Sequence, residues 1–367
     1  MADDLLAHKI QTIESFEVVM QYPRVVGRNA RLGVHGTGPS DPVTVIRTDR
    51  GATGWGIASM DDVQVDQLVG RCVGDLFDPD IGVVDSQAMP LDFPLHDLAG
   101  VILDKPVYEM LGAQGDAAVP CYDGAIYMDD TLPDENPRGI EAVLNNCRHD
   151  YALGYRAFKL KIGRGHRWMG RDEGLERDIA VTRQVRERFP ECEILVDAND
   201  GYDFVEFLDY YEAVAGCGLY WIEEPFPENR QDLLRLRQAV AALSPQTLVV
   251  DGERDPDLSL LMELAREGLL DVLNMDIRGL GFTRWRQWMP ELEGIGVYAS
   301  PHTWGSPLKT RYAAQFVRGL GNAPTVEGVP GESEDVDWSA YQLHEGLLHV
   351  PSEPGFGVDL VKRGEGR

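Results

Sequence analysis

The sequence predicts an α/β chain in which a parallel barrel of the (β/α)8 type follows an α+β section. Three observations predict it. Short β-rich runs recur eight times, at 119–126, 158–162, 194–198, 219–224, 247–252, 271–277, 296–302 and 323–328. Their successive starts lie 24 to 39 residues apart, which is the chain needed for one strand, one helix and two loops. The stretches between them, such as GLERDIAVTRQVRERF and LLRLRQAVAAL, have helical periodicity. An open doubly wound sheet permits the same alternation, and the eight units in succession favour the closed barrel.

The section before the barrel reads differently. Val43 to Ile46 is a β-rich run, Asp49-Arg50-Gly51 supplies a turn, and Gly54 to Ala58 is its hairpin partner. The stretch PLHDLAGVILDKPVYEMLGA at 94–113 carries apolar residues at helical spacing. Pro106 divides it into two helices and Gly112 stops it. The tail has one β-like run, Leu347 to Val350, and then turns Gly- and Pro-rich. The expected division is an α+β unit over 1–118, the barrel over 119–330, and a segment over 331–367 that packs back on the first unit.

Composition narrows the function. The 367 residues include 61 acidic and 34 basic side chains, for a formal charge of −27. Nucleic acid and anionic membrane both require a positive surface, so neither is an expected partner. The five cysteines, Cys72, Cys121, Cys147, Cys192 and Cys217, are far apart and include no C-x-x-C pair. That excludes a disulfide framework or a zinc-thiolate site as the expectation and points to a reducing compartment. No secretory signal and no apolar run of membrane-spanning length is visible. A soluble, cytoplasmic protein is expected.

Barrel strands normally turn branched apolar side chains inward. Here a charged or titratable group closes strand after strand: Lys159 and Lys161, Asp197, Glu223, Glu253, Asp276, His302 and Glu327. Each alone has an ordinary explanation as a cap, a turn residue or a solvated charge. Seven consecutive strands so marked are hard to explain that way, because desolvated charges need partners or a metal. The C-terminal mouth of such a barrel is also where active sites are built. Asp197, Glu223 and Glu253 come from three neighbouring strands and contain no imidazole or thiolate. That donor set suits a hard cation, Mg²⁺ first and Mn²⁺ second. Lys159 and Lys161 share one strand face on one side of the cation. Their mutual repulsion is expected to lower the pKa of one of them. His302, oriented by Asp276, stands on the other side. A cation flanked by two bases suits removal of a proton α to a carboxylate, a step that develops negative charge.

These residues resemble the enolase superfamily, and within it the mandelate racemase subgroup. The resemblance rests on F-K-L-K-I at 158–162, V-D-A-N at 196–199, W-I-E-E-P at 221–225 and D-G-E at 251–253. It continues in M-D-I-R-G-L-G at 275–281, S-P-H-T at 300–303 and V-E-G at 326–328. The helix D-L-A-G-x-x-x-D-K-P-x-Y-x-x-L-G at 97–112 is similar to that family's lead-in to the barrel. The resemblance implies an α/β fold, a modified TIM barrel (β/α)7β with an α+β capping domain. It implies Asp197, Glu223 and Glu253 as metal ligands, Lys161 as one base with Lys159 as its modulator, and the His302–Asp276 pair as the other. It further implies Glu327 as a protonated acid on a substrate carboxylate oxygen and Asn199 as a residue beside the substrate. Phe282 departs from the pattern, standing where a second Gly is common, and MDDTLPDEN at 128–136 is unusually acidic.

Specificity in that family resembles a property of the capping domain. The segment 21–38 carries Arg24, Arg28, Arg31 and His35. Closed over the mouth, Arg24 and His35 are expected to bind substrate. Arg164, His166 and Arg167 in the loop after Lys161 are expected near the mouth as well. The expected partners are a small-molecule carboxylate, a sugar acid, and further copies of the chain. The expected reaction is a hydro-lyase one, Mg²⁺-dependent dehydration of an acid sugar to a 2-keto-3-deoxy acid. Racemisation or epimerisation by the same two bases is the alternative, and a non-catalytic ligand-binding relative is a further one. A lactonising cycloisomerase is disfavoured because such relatives usually have Lys at the position of His302.

Overall fold

The computed structural model describes residues 2–254 and 256–361. Strands Ile10–Val19, Ser40–Thr48 and Thr53–Ile57 form an antiparallel sheet in sequence order. The helix Asp92–Leu103 lies on that sheet, so close that a Cβ on Gly54 would fall 2.4 Å from the Leu98 backbone. Leu95, Leu98 and Ala99 on this helix pack with Ile10, Ile46 and Leu76 in a core of the cap's own.

The barrel strands are Ala118–Ile126, Ala157–Lys161, Glu193–Asp197, Leu219–Glu223, Leu248–Asp251, Val272–Leu273, Tyr298–Ala299 and Val326–Gly328, here the first to the eighth. The first seven pair in parallel in sequence order, and the eighth returns to pair in parallel with the first. A helical crossover joins each to the next, from Ile140–Ala152 to Pro307–Leu320. This is the expected (β/α)7β order, and all eight strands lie where the β-rich runs place them.

Alternation along each strand sorts the interior into layers. Tyr122, Leu195, Trp221, Val250 and Val272 form one apolar cluster inside the barrel. Two residues further on, the same faces carry Asp197 after Leu195, Glu223 after Trp221 and Asn274 after Val272. The barrel is therefore plugged by hydrophobic side chains below and floored by polar ones at the mouth. Lys159, Asp197, Glu223 and Glu327 have no exposed surface, and Lys161 has 2%.

The C-terminal segment touches both units. The hairpin Gln342–His344 and Leu347–His349 adds antiparallel to the first barrel strand at Ala118–Pro120. Beyond it, the Phe356 N–H donates to Asp97 Oδ1 (2.8 Å), and Trp55 Nε1 donates to the Val358 carbonyl (3.1 Å). Asp97 Oδ2 accepts the Trp55 N–H (2.9 Å). One buried carboxylate thus ties the cap's third strand, its helix and the tail together. Among the described residues, no helix is long and apolar enough to cross a membrane.

Candidate active site

Register builds the site. Lys161 is the lateral partner of Asp197, and Asp197 of Glu223, so three adjacent strands end in a row of charges. Glu253 follows the fifth strand after Gly252, whose φ of +124° and close approach to Met275 leave no room for a Cβ. Ligand oxygens of Asp197, Glu223 and Glu253 all lie within 4.8 Å of one another.

The two lysines serve as counter-ions to this row. Lys161 Nζ pairs with Asp197 Oδ2. Lys159 Nζ lies 3.0 Å from Glu223 Oε1, 3.5 Å from Asp197 Oδ2 and 2.9 Å from Glu327 Oε1. The expected lowering of one lysine is not found. Burial disfavours both ammonium ions, but Asp197 raises Lys161, and Glu223 with Glu327 raises Lys159 well above its ordinary value. Carboxylates at contact outweigh lysine–lysine repulsion. Glu327 departs from expectation for the same reason. Burial favours its neutral form, but Lys159 and His302 hold it well below the usual carboxylate range. Its Oε2 also accepts the N–H groups of Thr303 (2.7 Å) and Trp304 (2.9 Å). Gly124 makes room for it, since a Cβ there would fall 2.6 Å from Oε1.

His302 meets the row at its other end. Its Nδ1 lies 3.0 Å from Asp276 Oδ2, and its Nε2 lies 3.3 Å from Glu253 Oε1. Burial disfavours the Asp276 carboxylate, yet His302 and Lys309 hold it ionised well below its ordinary range. An ionised Asp276 accepts the Nδ1–H, which leaves Nε2 to face the carboxylates. Lys161 and His302 thus approach opposite ends of the acidic row.

Asn199, at φ +44°, donates its backbone N–H to Asp197 Oδ1 (2.9 Å), and its side-chain Oδ1 is buried without a partner among the described residues. Of the capping-loop residues, His35 is brought to the site and Arg24 is not. His35 packs at 4.6 Å on the Tyr127 ring, whose centroid lies 5.2 Å from Lys161 Nζ. Arg24 instead clasps both oxygens of Asp150 (2.6 and 2.5 Å) and the Ala125 carbonyl (3.1 Å). A buried carboxylate on the helix Ile140–Ala152 already engages that guanidinium. Arg164 likewise leaves the mouth and is fully buried between Asp130 and Asp178.

Two contributing residues escaped the sequence reading. Asn274 Nδ2 donates to Glu223 Oε1 (3.0 Å), and Lys309 Nζ donates to Asp276 Oδ2 (2.6 Å). Asn274 was findable, because it precedes Asp276 by two residues in one strand run and so shares its face. Lys309 carried a weaker signal, a cation on the otherwise buried helix Pro307–Leu320.

The carboxylate set fits a hard divalent cation on its own geometry. Glu223 Oε2 and Glu253 Oε2 are buried and have no hydrogen-bond partner among the described residues, as suits oxygens that coordinate a cation.

The sequence profile described as Enolase C-terminal domain-like matches residues 142–363. The chain belongs to the enolase superfamily, in its mandelate racemase group. This enolase-superfamily chain is 31% identical to a galacturonate dehydratase from Geobacillus sp. solved with Mg as a mutant form. That alignment covers 97% of this chain and 93% of the other, with a TM-score of 0.91. The same dehydratase solved with D-galacturonate and 5-keto-4-deoxy-D-galacturonate gives a TM-score of 0.90. An L-Lys-D/L-Arg epimerase from Methylococcus capsulatus is 29% identical over 73% of this chain and 70% of its own length. A D-galactarolactone cycloisomerase from Agrobacterium fabrum is 25% identical over 75% and 69%.

Proposed function

We propose that the protein is a Mg²⁺-dependent acid-sugar dehydratase. The observation that carries this reading is the meeting of Asp197, Glu223 and Glu253 between Lys161 and His302. Asp197, Glu223 and Glu253 hold the cation, with Asn274 orienting Glu223. When bound, a divalent cation neutralises these carboxylates, relieves Lys161 of its role as counter-ion and polarises a substrate carboxylate.

The rest is done by the chain's own groups. Lys161 or His302, according to substrate configuration, takes the α-proton, and the C–H electron pair moves toward the carboxylate. Lys159 stabilises the charge that develops there. The returning pair expels the β-hydroxyl, which leaves as water with a proton from the His302 imidazolium (the α-proton itself where His302 is the base, a proton already on Nε2 where Lys161 is), and the enol product tautomerises to the α-keto acid. Asp276 holds the imidazole with Nε2 toward the reacting carbons. In a uronic acid, whose single carboxylate is C6, the α- and β-carbons are C5 and C4, so the product is numbered 5-keto-4-deoxy, as in the ligand of the Geobacillus dehydratase.

Two opposed bases and the relationship to an epimerase favour a second reading, return of the proton to the other face. Incubation of aldonic, uronic and aldaric acids with Mg²⁺ in D₂O separates the two. Dehydration gives an α-keto acid. Deuterium at the α-carbon with inversion and no keto acid would establish the epimerase in its place.

A further inference from the structure

Arg311 stands on the helix Pro307–Leu320, which packs on the eighth barrel strand. With Tyr155, Val329, Trp338, Leu343 and Leu348 it lines a cavity of about 220 Å³ beside the C-terminal segment. Its Nη1 donates to the Pro307 carbonyl (3.0 Å), and its Nε is buried with no partner among the described residues. The guanidinium carbon lies 4.7 Å from the Trp338 ring centroid and 5.9 Å from that of Tyr341. Aromatic faces attract a cation but do not neutralise it.

No carboxylate among the described residues supplies the missing charge. The groups that bear electrostatically on Arg311 are Tyr155, Tyr341 and Cys121. Burial pushes these two phenols and the thiol far up, so all three are neutral near pH 7. Burial also weighs against the guanidinium and lowers its pKa, but a guanidinium stays charged. Elsewhere the chain supplies acids to its enclosed arginines, Asp150 to Arg24 and both Asp130 and Asp178 to Arg164. A desolvated cation left without such a partner suits an anion from outside.

We propose that this cavity binds a small monocarboxylic acid with a short apolar body, whose carboxylate pairs with the Arg311 guanidinium. The planar fork matches a carboxylate, and one guanidinium balances one negative charge. Val329, Leu343, Leu348 and the Trp338 ring offer the body an apolar wall. A phosphate brings about −1.5 to −2 charges and three acceptor oxygens, more than one guanidinium satisfies. The volume falls below the roughly 300–1,000 Å³ of sites for drug-sized ligands, so the acid is small. The cavity is distinct from the barrel mouth. Thr310 on its wall donates to the Glu327 carbonyl (3.0 Å), whereas the Glu327 side chain meets Lys159 (2.9 Å). The proposal does not depend on which reaction the mouth performs.

The test is calorimetric titration of the Mg²⁺-loaded chain with butanoate, acetate and inorganic phosphate. The variants are Arg311→Met, Arg311→Lys and Ser339→Trp, the last blocking the cavity from its exposed rim without altering the guanidinium. Any butanoate taken up at the mouth is common to parent and variants and cancels in the comparison. Arg311→Met is expected to weaken butanoate by about 10- to 100-fold, and Arg311→Lys by less. Ser339→Trp should weaken it as well. Acetate, two methylenes shorter, should bind the parent about 15-fold more weakly than butanoate. Butanoate should raise the Tm of the parent and not that of Arg311→Met, while turnover of Arg311→Met stays at the parent's rate. No binding of butanoate by the parent, equal binding by all the variants, or phosphate bound more tightly than butanoate would overturn the inference.

Discussion

Arg164 offers the sharpest test of how the mouth is held. It follows the second barrel strand by three residues and has no exposed surface. Its Nη1 donates to the Lys161 carbonyl (3.1 Å) and to Asp178 Oδ1 (2.5 Å), while Nε and Nη2 fork onto Asp130 (3.0 and 2.6 Å). Arg164→Met keeps the apolar stem and removes the charge. Asp178 would retain the Tyr202 hydroxyl (2.5 Å) and the Gly163 N–H (2.9 Å), but among the described residues Asp130 would retain only Arg177 at 3.2 Å. Removing one partner of a buried pair costs about 3–5 kcal/mol, because the remaining charge is stranded. The bonds left to Asp178 place Arg164→Met at the lower end, about 3 kcal/mol. Guanidinium denaturation followed by tryptophan fluorescence reads this directly. Arg164→Lys, which restores the charge without the fork, should fall between the two. A loss below about 1 kcal/mol, the size of an exposed ion pair, would refute the argument that this network holds the strand end.

Other outcomes follow from the same geometry. Lys161→Ala should lower turnover by about 10²- to 10⁴-fold while calorimetry still detects Mg²⁺ binding; an unchanged rate would remove Lys161 from the mechanism. Asn274→Ala, by releasing Glu223, should weaken Mg²⁺ by about 10- to 100-fold in the same titration. Chelation with EDTA should abolish activity, and added Mg²⁺ or Mn²⁺ should restore it. Asp97, pushed up to about 7 by burial against the pull of the Phe356 and Trp55 N–H groups, should give stability a pH dependence of definite sign. The folded state holds this proton more tightly than the unfolded chain. The contribution is therefore complete below the ordinary carboxylate pKa and is lost as pH rises to about 7, at up to about 1.4 kcal/mol per unit. Urea midpoints between pH 4 and 8 for the parent and Asp97→Asn isolate that slope; parallel curves would rule it out.

What was legible in the sequence was the violation of a packing rule. A barrel interior should be apolar, so charges at successive strand ends revealed both the strand order and the residues that converge. Period-two alternation was enough to put Asp197 above Leu195 and Glu223 above Trp221. The partners of the arginines were not legible. Arg24 finds Asp150 across 126 positions, and Arg164 finds Asp130 across 34. Which acid captures which guanidinium depends on where helices pack, and no local pattern records it. The carboxylates that raise the two lysines, and the cations that lower Glu327, were not legible for a related reason. Neighbouring like charges were visible along one strand, whereas the opposite charges that outweigh them come from other strands.

The Asp97 junction has a consequence for traffic into the barrel. With its third strand and helix stapled to a tail that is itself woven into the first barrel strand, the N-terminal unit is not free to swing aside like a hinged cover. Any opening of the mouth by that unit as a whole would first have to break these bonds to the tail.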